Sequence, residues 1–120
     1  MPDFNLITYI PVQTIANNID CRFSSWRQAL NFMHDEISKI DFDIAVIGAG
    51  SYGMPLGAFI KNSGKQAIHL GGATQILFGI KGKRWESIDF FKNMFNEYWV
   101  RPNANEKPMN ANRVEGGCYW

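Results

Sequence analysis

The chain has 120 residues, of which 46% are hydrophobic and 19% are charged, and its formal net charge is +1. This length and composition predict one globular domain, spanning residues 1–120, with a core of its own. A net charge so close to zero gives no electrostatic reason to expect nucleic acid or a membrane surface as a partner, and no apolar run has the length of a membrane span. Two cysteines, Cys21 and Cys118, are too few for a disulfide framework, so we expect a reduced, cytoplasmic location.

The first third of the chain predicts a short strand, a loop and a long helix. Asn5 to Ile10 is apolar and β-branched, which favours a strand that ends before Pro11. A polar loop is expected from Gln13 to Asp20. Ser25 and Gln28 fit a capping box at the start of a helix. The apolar residues of that helix recur at spacings of four and three, which predicts one core-facing side made of Trp26, Leu30, Met33, Ile37 and Ile40.

The middle of the chain has the pattern of a strand, a glycine turn, a helix and a second strand. Ile44 to Ile47 is continuously apolar, as in a parallel strand that is covered on both faces. A helix is expected from about Tyr52 to Asn62, ended by Gly64 in a left-handed conformation. Gln66 to Leu70 is the next predicted strand, parallel to the first and joined to it by a right-handed crossover. The predicted fold class is α/β, a Rossmann-like three-layer sandwich with a mainly parallel sheet.

Shorter elements and an irregular tail are predicted after the second strand. Thr74 to about Phe78 favours a helix that is broken by Gly79. Ser87 is placed to cap a last helix through Phe95. The segment 101–120 is rich in asparagine and proline, which predicts an irregular tail. Because this tail ends in aromatic residues, we expect it to pack back on the domain.

A glycine motif lies between the two predicted strands. The hexapeptide Gly48–Gly53 matches G-x-G-x-x-G after a strand and before a helix. Its glycines let the backbone approach a phosphate, the helix N-terminus offers N–H groups and a partial positive charge, and Ser51 adds a hydroxyl. Gly71 and Gly72 follow the second strand, and ligands of open α/β sheets bind beyond the carboxyl ends of the strands. The alternative is that the glycines only permit close packing between helix and sheet.

Polar and cationic residues follow the second glycine pair. Thr74 and Gln75 are placed to donate to a ligand, and the cations after them suit phosphate contacts, although a solvated loop explains those cations equally well. His69 is a catalytic candidate, but a buried histidine that only makes a structural hydrogen bond is the more common case. The candidate binding residues are Gly48, Gly50, Ser51, Tyr52, Gly53, Gly71, Gly72, Thr74, Gln75, Lys81, Lys83, Arg84 and Arg101. The candidate catalytic residues are His69, Arg84 and Glu97.

Three blocks of the sequence resemble one known family. They are IGAGSYGMPLGAFIKNSGKQAIHLGGATQILFGIKGKRW at residues 47–85, NEYWVRP at residues 96–102 and VEGGCYW at residues 114–120. The chain thereby resembles, over roughly residues 25–120, the GT-D fold-like domains, which are uncharacterised bacterial and viral domains in proteins linked to surface polysaccharide synthesis. The resemblance implies a Rossmann-like fold and a relation to GT-D glycosyltransferases, which transfer glucose from a UDP-sugar using a metal held by an Asp-x-Glu motif. In longer members this block looks C-terminal, which implies an additional N-terminal domain.

The chain departs from that family at the metal motif. Thr74 and Ile76 stand where the resemblance implies the Asp and the Glu, and neither side chain can hold Mn²⁺ or Mg²⁺. We therefore expect no divalent metal, and Lys81, Lys83 or Arg84 would instead neutralise a leaving diphosphate.

The expected function is a nucleotide-sugar-binding domain of glycosyltransferase type, with a UDP-sugar as the small-molecule substrate. Two other classes stay open, namely a non-catalytic binding or assembly module on the same scaffold and half of a dinucleotide-dependent oxidoreductase. NAD(P) is disfavoured because the strand end at residues 67–71 has no carboxylate to bind a ribose.

Overall fold

A computed structural model describes residues 3–15 and 18–120 of the chain. The predicted polar loop from Gln13 to Asp20 includes residues 16 and 17, which lie outside the described residues. The main elements are helix α1 (Trp26–Ser38), strand β1 (Ile44–Ile47), helix α2 (Gly53–Asn62), strand β2 (Gln66–His69) and the short helices α3 (Thr74–Leu77), α4 (Lys83–Glu86) and α5 (Asp89–Lys92). Single 3₁₀ turns lie at Gly50–Tyr52, Gly71–Ala73, Ala104–Glu106, Ala111–Arg113 and Glu115–Gly117.

Helix α1 begins as its sequence predicts. Ser25 is the N-cap, and its Oγ accepts a hydrogen bond of 3.2 Å from the backbone N–H of Gln28. The Gln28 side chain bonds to the N–H of Ser24 instead of completing a capping box with Ser25. The predicted core-facing side is confirmed at its centre, where Leu30, Met33 and Ile37 are buried, whereas Trp26 is 43% exposed.

Strands β1 and β2 and helix α2 form one β–α–β unit. The strands are parallel, with Ile44 opposite Gln66 and Ile47 opposite His69, which confirms the predicted pairing. Gly64 ends the helical connection with φ +82, the left-handed conformation that its position predicts. Leu56 and Ile60 of α2 are buried against the rest of the core.

The predicted three-layer Rossmann-like sandwich is wrong. The sheet in the described part of the chain has two strands of four residues each. Asn5–Ile10 forms no strand, because β-branched composition favours an extended backbone but supplies no neighbour to pair with. After β2, glycines such as Gly79 at φ +66 divide the chain into short helices. The predicted helix from Ser87 to Phe95 is also wrong in extent, since Ser87 ends α4 and α5 spans Asp89–Lys92.

Most of the buried side chains form one cluster, the main cluster, in the first half of the chain. Its members are Val12, Ala29, Leu30, Met33, Ile37, Ile47, Tyr52, Leu56 and Ile60. The partly buried side chains around it, among the described residues, lie between Tyr9 and Ala67. Trp85, Ala111 and Cys118 are buried as well, but in the second half of the chain and outside this cluster. Among the described residues, no helix combines the length and the apolar character that crossing a membrane requires.

Candidate functional site

The glycine-rich segments that follow β1 and β2, residues 48–53 and 71–72, lie together at one edge of the sheet, which we call the glycine-rich edge. Because Ile47 pairs with His69, the segments that follow the two strands leave the sheet side by side. A β-carbon on Gly48 would lie 2.7 Å from Thr74 Oγ1 and 2.9 Å from the Gly71 carbonyl oxygen, so the two segments touch. Gly48 is therefore required by close backbone packing.

Two glycines at this edge face open space. Gly50 has φ +50 and Gly71 has φ +55, conformations that favour glycine. No other atom of the described residues, apart from chain neighbours, lies within 4 Å of either β-carbon position. The 3₁₀ turn at Gly50–Tyr52 leads directly into the ten-residue helix α2. The N–H groups of Tyr52 and Gly53 donate to the carbonyls of Ala49 and Gly50 within this turn, and Pro55 has no N–H to offer. The edge thus combines accessible backbone with the positive end of a helix dipole.

Ser51 and Tyr52 tie this loop to the rest of the domain. Ser51 Oγ accepts a hydrogen bond of 3.2 Å from Trp26 Nε1. The Trp26 ring stacks on the Tyr52 ring at 5.1 Å between centroids, with 5° between the planes. Tyr52 is 3% exposed, and its hydroxyl lies 2.9 Å from Thr14 Oγ1. Tyr52 is therefore a core residue rather than a ligand contact, while the Ser51 hydroxyl keeps its own proton to donate.

His69 packs on the third glycine of the motif. Its Nδ1 lies 3.1 Å from the Ile47 carbonyl oxygen, and because a carbonyl only accepts, Nδ1 donates and Nε2 remains an acceptor. A β-carbon on Gly53 would lie 2.2 Å from His69 Cε1 and 2.7 Å from Nδ1, so a side chain at that position would displace the ring. The glycine of the fingerprint here makes room for an imidazole ring.

Thr74 and Gln75 differ in how their polar atoms are used. Thr74 Oγ1 is buried and has no hydrogen-bond partner among the described residues, and it faces Gly48 at the junction of the two loops. Both polar atoms of the Gln75 side chain have a partner in its own chain, since Nε2 donates to the Tyr119 carbonyl at 2.9 Å and Oε1 accepts from Trp85 Nε1 at 3.2 Å. The Thr74 hydroxyl is therefore the side-chain group of this pair whose hydrogen-bonding capacity is wholly unused among the described residues.

Arg84 lies at the same edge, beneath the C-terminal segment. A β-carbon on Gly72 would lie 3.4 Å from Arg84 Nη1 and 2.6 Å from the Tyr119 ring. The Arg84 guanidinium forms an ion pair with Glu115, donates to the Tyr119 hydroxyl at 3.3 Å and lies 4.8 Å from the centre of that ring. The Arg84 N–H also donates to the Cys118 carbonyl at 2.9 Å. The C-terminal segment, residues 115–119, thus occupies the guanidinium of Arg84, the side chain at this edge best suited to bind phosphate.

The remaining candidates are not joined to this group. Arg101 forms an ion pair with Glu86, and its hydrogen bond lowers the pKa of the Glu86 carboxyl and raises the pKa of the Arg101 guanidinium. Lys81 Nζ lies 5.6 Å from the centre of the Phe95 ring. Within the ranges that the structure describes, Lys83 and Glu97 form no side-chain hydrogen bond or ion pair.

Three residues of the site were not among the sequence-based candidates. Glu115 and Tyr119 pair with Arg84, and Trp26 anchors Ser51. Glu115 and Tyr119 belong to the VEGGCYW block, whose aromatic content was a signal for packing but not for a partner. Trp26 had the periodicity of a core residue, which concealed its role at the surface of the loop.

Within the described residues, no three His, Cys, Asp or Glu side chains come close enough to hold a metal ion. Neither protein-family models nor curated proteins nor solved structures match this chain.

Proposed function

We propose that this chain is a nucleotide-sugar-binding domain of glycosyltransferase type, linked to polysaccharide or glycoconjugate synthesis. The observation that carries the proposal is the meeting of two glycine-rich strand ends at the N-terminus of α2. The positive end of the α2 dipole favours a phosphate at such a point, and the glycines let the phosphate approach the backbone closely. The resemblance of the same segments to GT-D fold-like domains supports a sugar diphosphate as the ligand.

The side chains of the edge support a diphosphate that is bound without a metal. Thr74 Oγ1 is a buried hydroxyl that lacks a partner in the described part of the chain, so it has a proton to donate to a phosphate oxygen that reaches the junction of the two loops. Arg84 offers a bidentate fork against Gly72 once Glu115 releases it. In glycosyl transfer the bond between the sugar and the diphosphate breaks, and cations stabilise the negative charge left on the diphosphate. Lys81 and Lys83, which precede Arg84 in the sequence, add further positive charge to this part of the chain.

The test compares two glycines with the same backbone conformation. Gly50 and Gly64 both have positive φ and open space, but they lie at opposite ends of α2. Asn and Asp both tolerate this conformation, so Gly50→Asp and Gly50→Asn differ only in charge. A negative charge about 5 Å from a diphosphate costs about 1–3 kcal/mol, so Gly50→Asp should bind UDP and UDP-glucose at least about fivefold more weakly than Gly50→Asn.

Calorimetric titration in metal-free buffer measures these affinities. The pair Gly64→Asp and Gly64→Asn is the control, and these two variants should bind UDP-glucose equally. NAD and NADP are control ligands that should not bind, because His69, and not a carboxylate, stands at the end of β2. Wild-type protein that binds neither UDP nor UDP-glucose would contradict the proposal, as would an equal charge effect at both glycines.

One observation favours a second function, that of a non-catalytic binding or assembly module. Gln75 and Arg84 are occupied by the chain's own C-terminal segment, whereas an open crevice suits an enzyme. Glu115→Gln separates the two functions, because it frees Arg84. A nucleotide-binding domain should then bind UDP-glucose at least as well as wild type, whereas a module should bind it in neither form.

A further inference from the structure

One face of the two-stranded sheet is apolar and uncovered. Side chains alternate along each strand, so Ile47 of β1 is buried on the α2 side. On the opposite face Ile44 is 51% exposed, Val46 38% and Ile68 48%. Parallel strands are normally covered on both faces. Within the described residues, the outer edge of each strand also lacks a strand partner.

The same chain carries a second uncovered apolar element, segment 4–10, with the sequence FNLITYI. Phe4 is 63% exposed, and Leu6, Ile7 and Ile10 are 58%, 54% and 86% exposed. The segment has no helix or strand, although its β-branched residues favour an extended backbone. It is anchored at its far end, where Tyr9 is partly buried against the main cluster, Val12 is buried, and the Val12 N–H lies 3.4 Å from Met33 Sδ.

We propose that segment 4–10 of one copy of this chain adds a strand to a free edge of the β1–β2 sheet of a second copy, where its apolar side chains pack beside those of the open face, and that the second copy does the same in return. Each element supplies what the other lacks, since the sheet has free edges and the segment has strand-forming residues without a neighbour. Neither the segment nor the two strands contain an Asp, Glu, Lys or Arg, so their contact buries no unpaired charge of those types.

The dimensions and the symmetry fit this arrangement. Seven extended residues span about 23 Å, whereas a strand of four residues spans about 13 Å, so the segment reaches along the whole strand. Reciprocal exchange makes a closed two-fold dimer with two equal interfaces. The glycine-rich edge is not part of either element, so the proposed dimer does not depend on nucleotide binding and can be tested separately from it.

The test uses two double variants, one that places charges on segment 4–10 and one that places charges on the β1–β2 sheet. Leu6→Asp with Ile7→Asp changes two adjacent residues of the segment, one of which must lie on the side of the open face because side chains alternate. Val46→Lys with Ile68→Lys changes the open face. Met54→Lys is the control, since Met54 is 70% exposed on α2. Circular dichroism and thermal melting first establish that each variant is folded.

Sedimentation velocity over a range of protein concentrations gives the expected pattern. Wild type and Met54→Lys should dimerise, and each double variant alone should have its dimer dissociation constant raised at least tenfold. An equimolar mixture of the two double variants should dimerise again, because one interface is native and the other joins Asp to Lys. A monomeric wild type would overturn the proposal. A segment variant that still dimerises alone would show sheet-to-sheet contact instead, and a mixture that stays monomeric would refute reciprocal exchange.

Discussion

The packing of His69 on Gly53 makes a quantitative prediction about the third glycine of the motif. Gly53 has ordinary helical dihedrals, φ −59 and ψ −48, so replacement by Ala should gain up to about 1 kcal/mol of helix propensity. The new methyl group would occupy the space of the imidazole, which must rotate away and lose its hydrogen bond to Ile47. That bond contributes about 0.5–1.5 kcal/mol, so Gly53→Ala should be nearly neutral in the wild-type background.

The same substitution should be stabilising once the ring is absent. In the His69→Ala background, Gly53→Ala should raise the free energy of unfolding by about 1 kcal/mol, which gives a coupling of about the same size between the two positions. Urea unfolding of wild type, both single variants and the double variant measures that coupling. An identical effect of Gly53→Ala in both backgrounds would refute the packing role, and the glycine would then be explained by ligand access alone.

Three other predictions concern single side chains. Gly57→Ala, within α2, should stabilise by about 1 kcal/mol, since the β-carbon would lie at ordinary contact distances of 3.8 Å from Ile47 and 3.9 Å from Ala67. Gly48→Ala should destabilise by about 1–3 kcal/mol, because its β-carbon would meet a backbone carbonyl; urea unfolding compares the two variants, and a neutral Gly48→Ala would contradict this. Burial lowers the pKa of the His34 imidazole below 6.5, so as the pH falls the unfolded state takes up the proton before the folded state does. The free energy of unfolding should therefore be highest above pH 6.5 and decline below it, and thermal melts at several pH values should show that His34→Gln removes this decline. Glu115→Gln should strengthen pyrophosphate binding severalfold in calorimetric titrations by freeing Arg84, and unchanged binding would show that Arg84 is not at the anion site.

The β–α–β unit could be predicted from the sequence because its signals are local. Continuous apolar residues mark β1, and Gly64 marks the end of α2 by a backbone conformation that glycine adopts most easily. Segment 4–10 shows the limit of the same reasoning. Its composition favours an extended backbone, but a strand also needs a partner, and a partner is a property of the whole fold.

The glycine-rich edge was predictable in outline but not in its occupants. The motif indicates that residue 53 must be small, and the reason is the His69 ring on β2. The sequence places His69 on a strand but does not show that its ring packs on Gly53. Arg84 follows the edge in sequence, but its pairing with Glu115 joins residues that are far apart along the chain. Charge counts therefore overestimate how many cations are free for a ligand.

The separation of the buried residues into a main cluster and a C-terminal group has a consequence for amide exchange. A small group of buried side chains such as Trp85, Ala111 and Cys118 should open at a lower free energy than the main cluster. The Arg84 amide, which bonds to Cys118, should then exchange with solvent deuterium faster than amides in α1 and α2. Such an opening would expose the Arg84 side chain while the β–α–β unit stays folded, so that access to the glycine-rich edge would be governed by a local equilibrium rather than by unfolding of the whole chain.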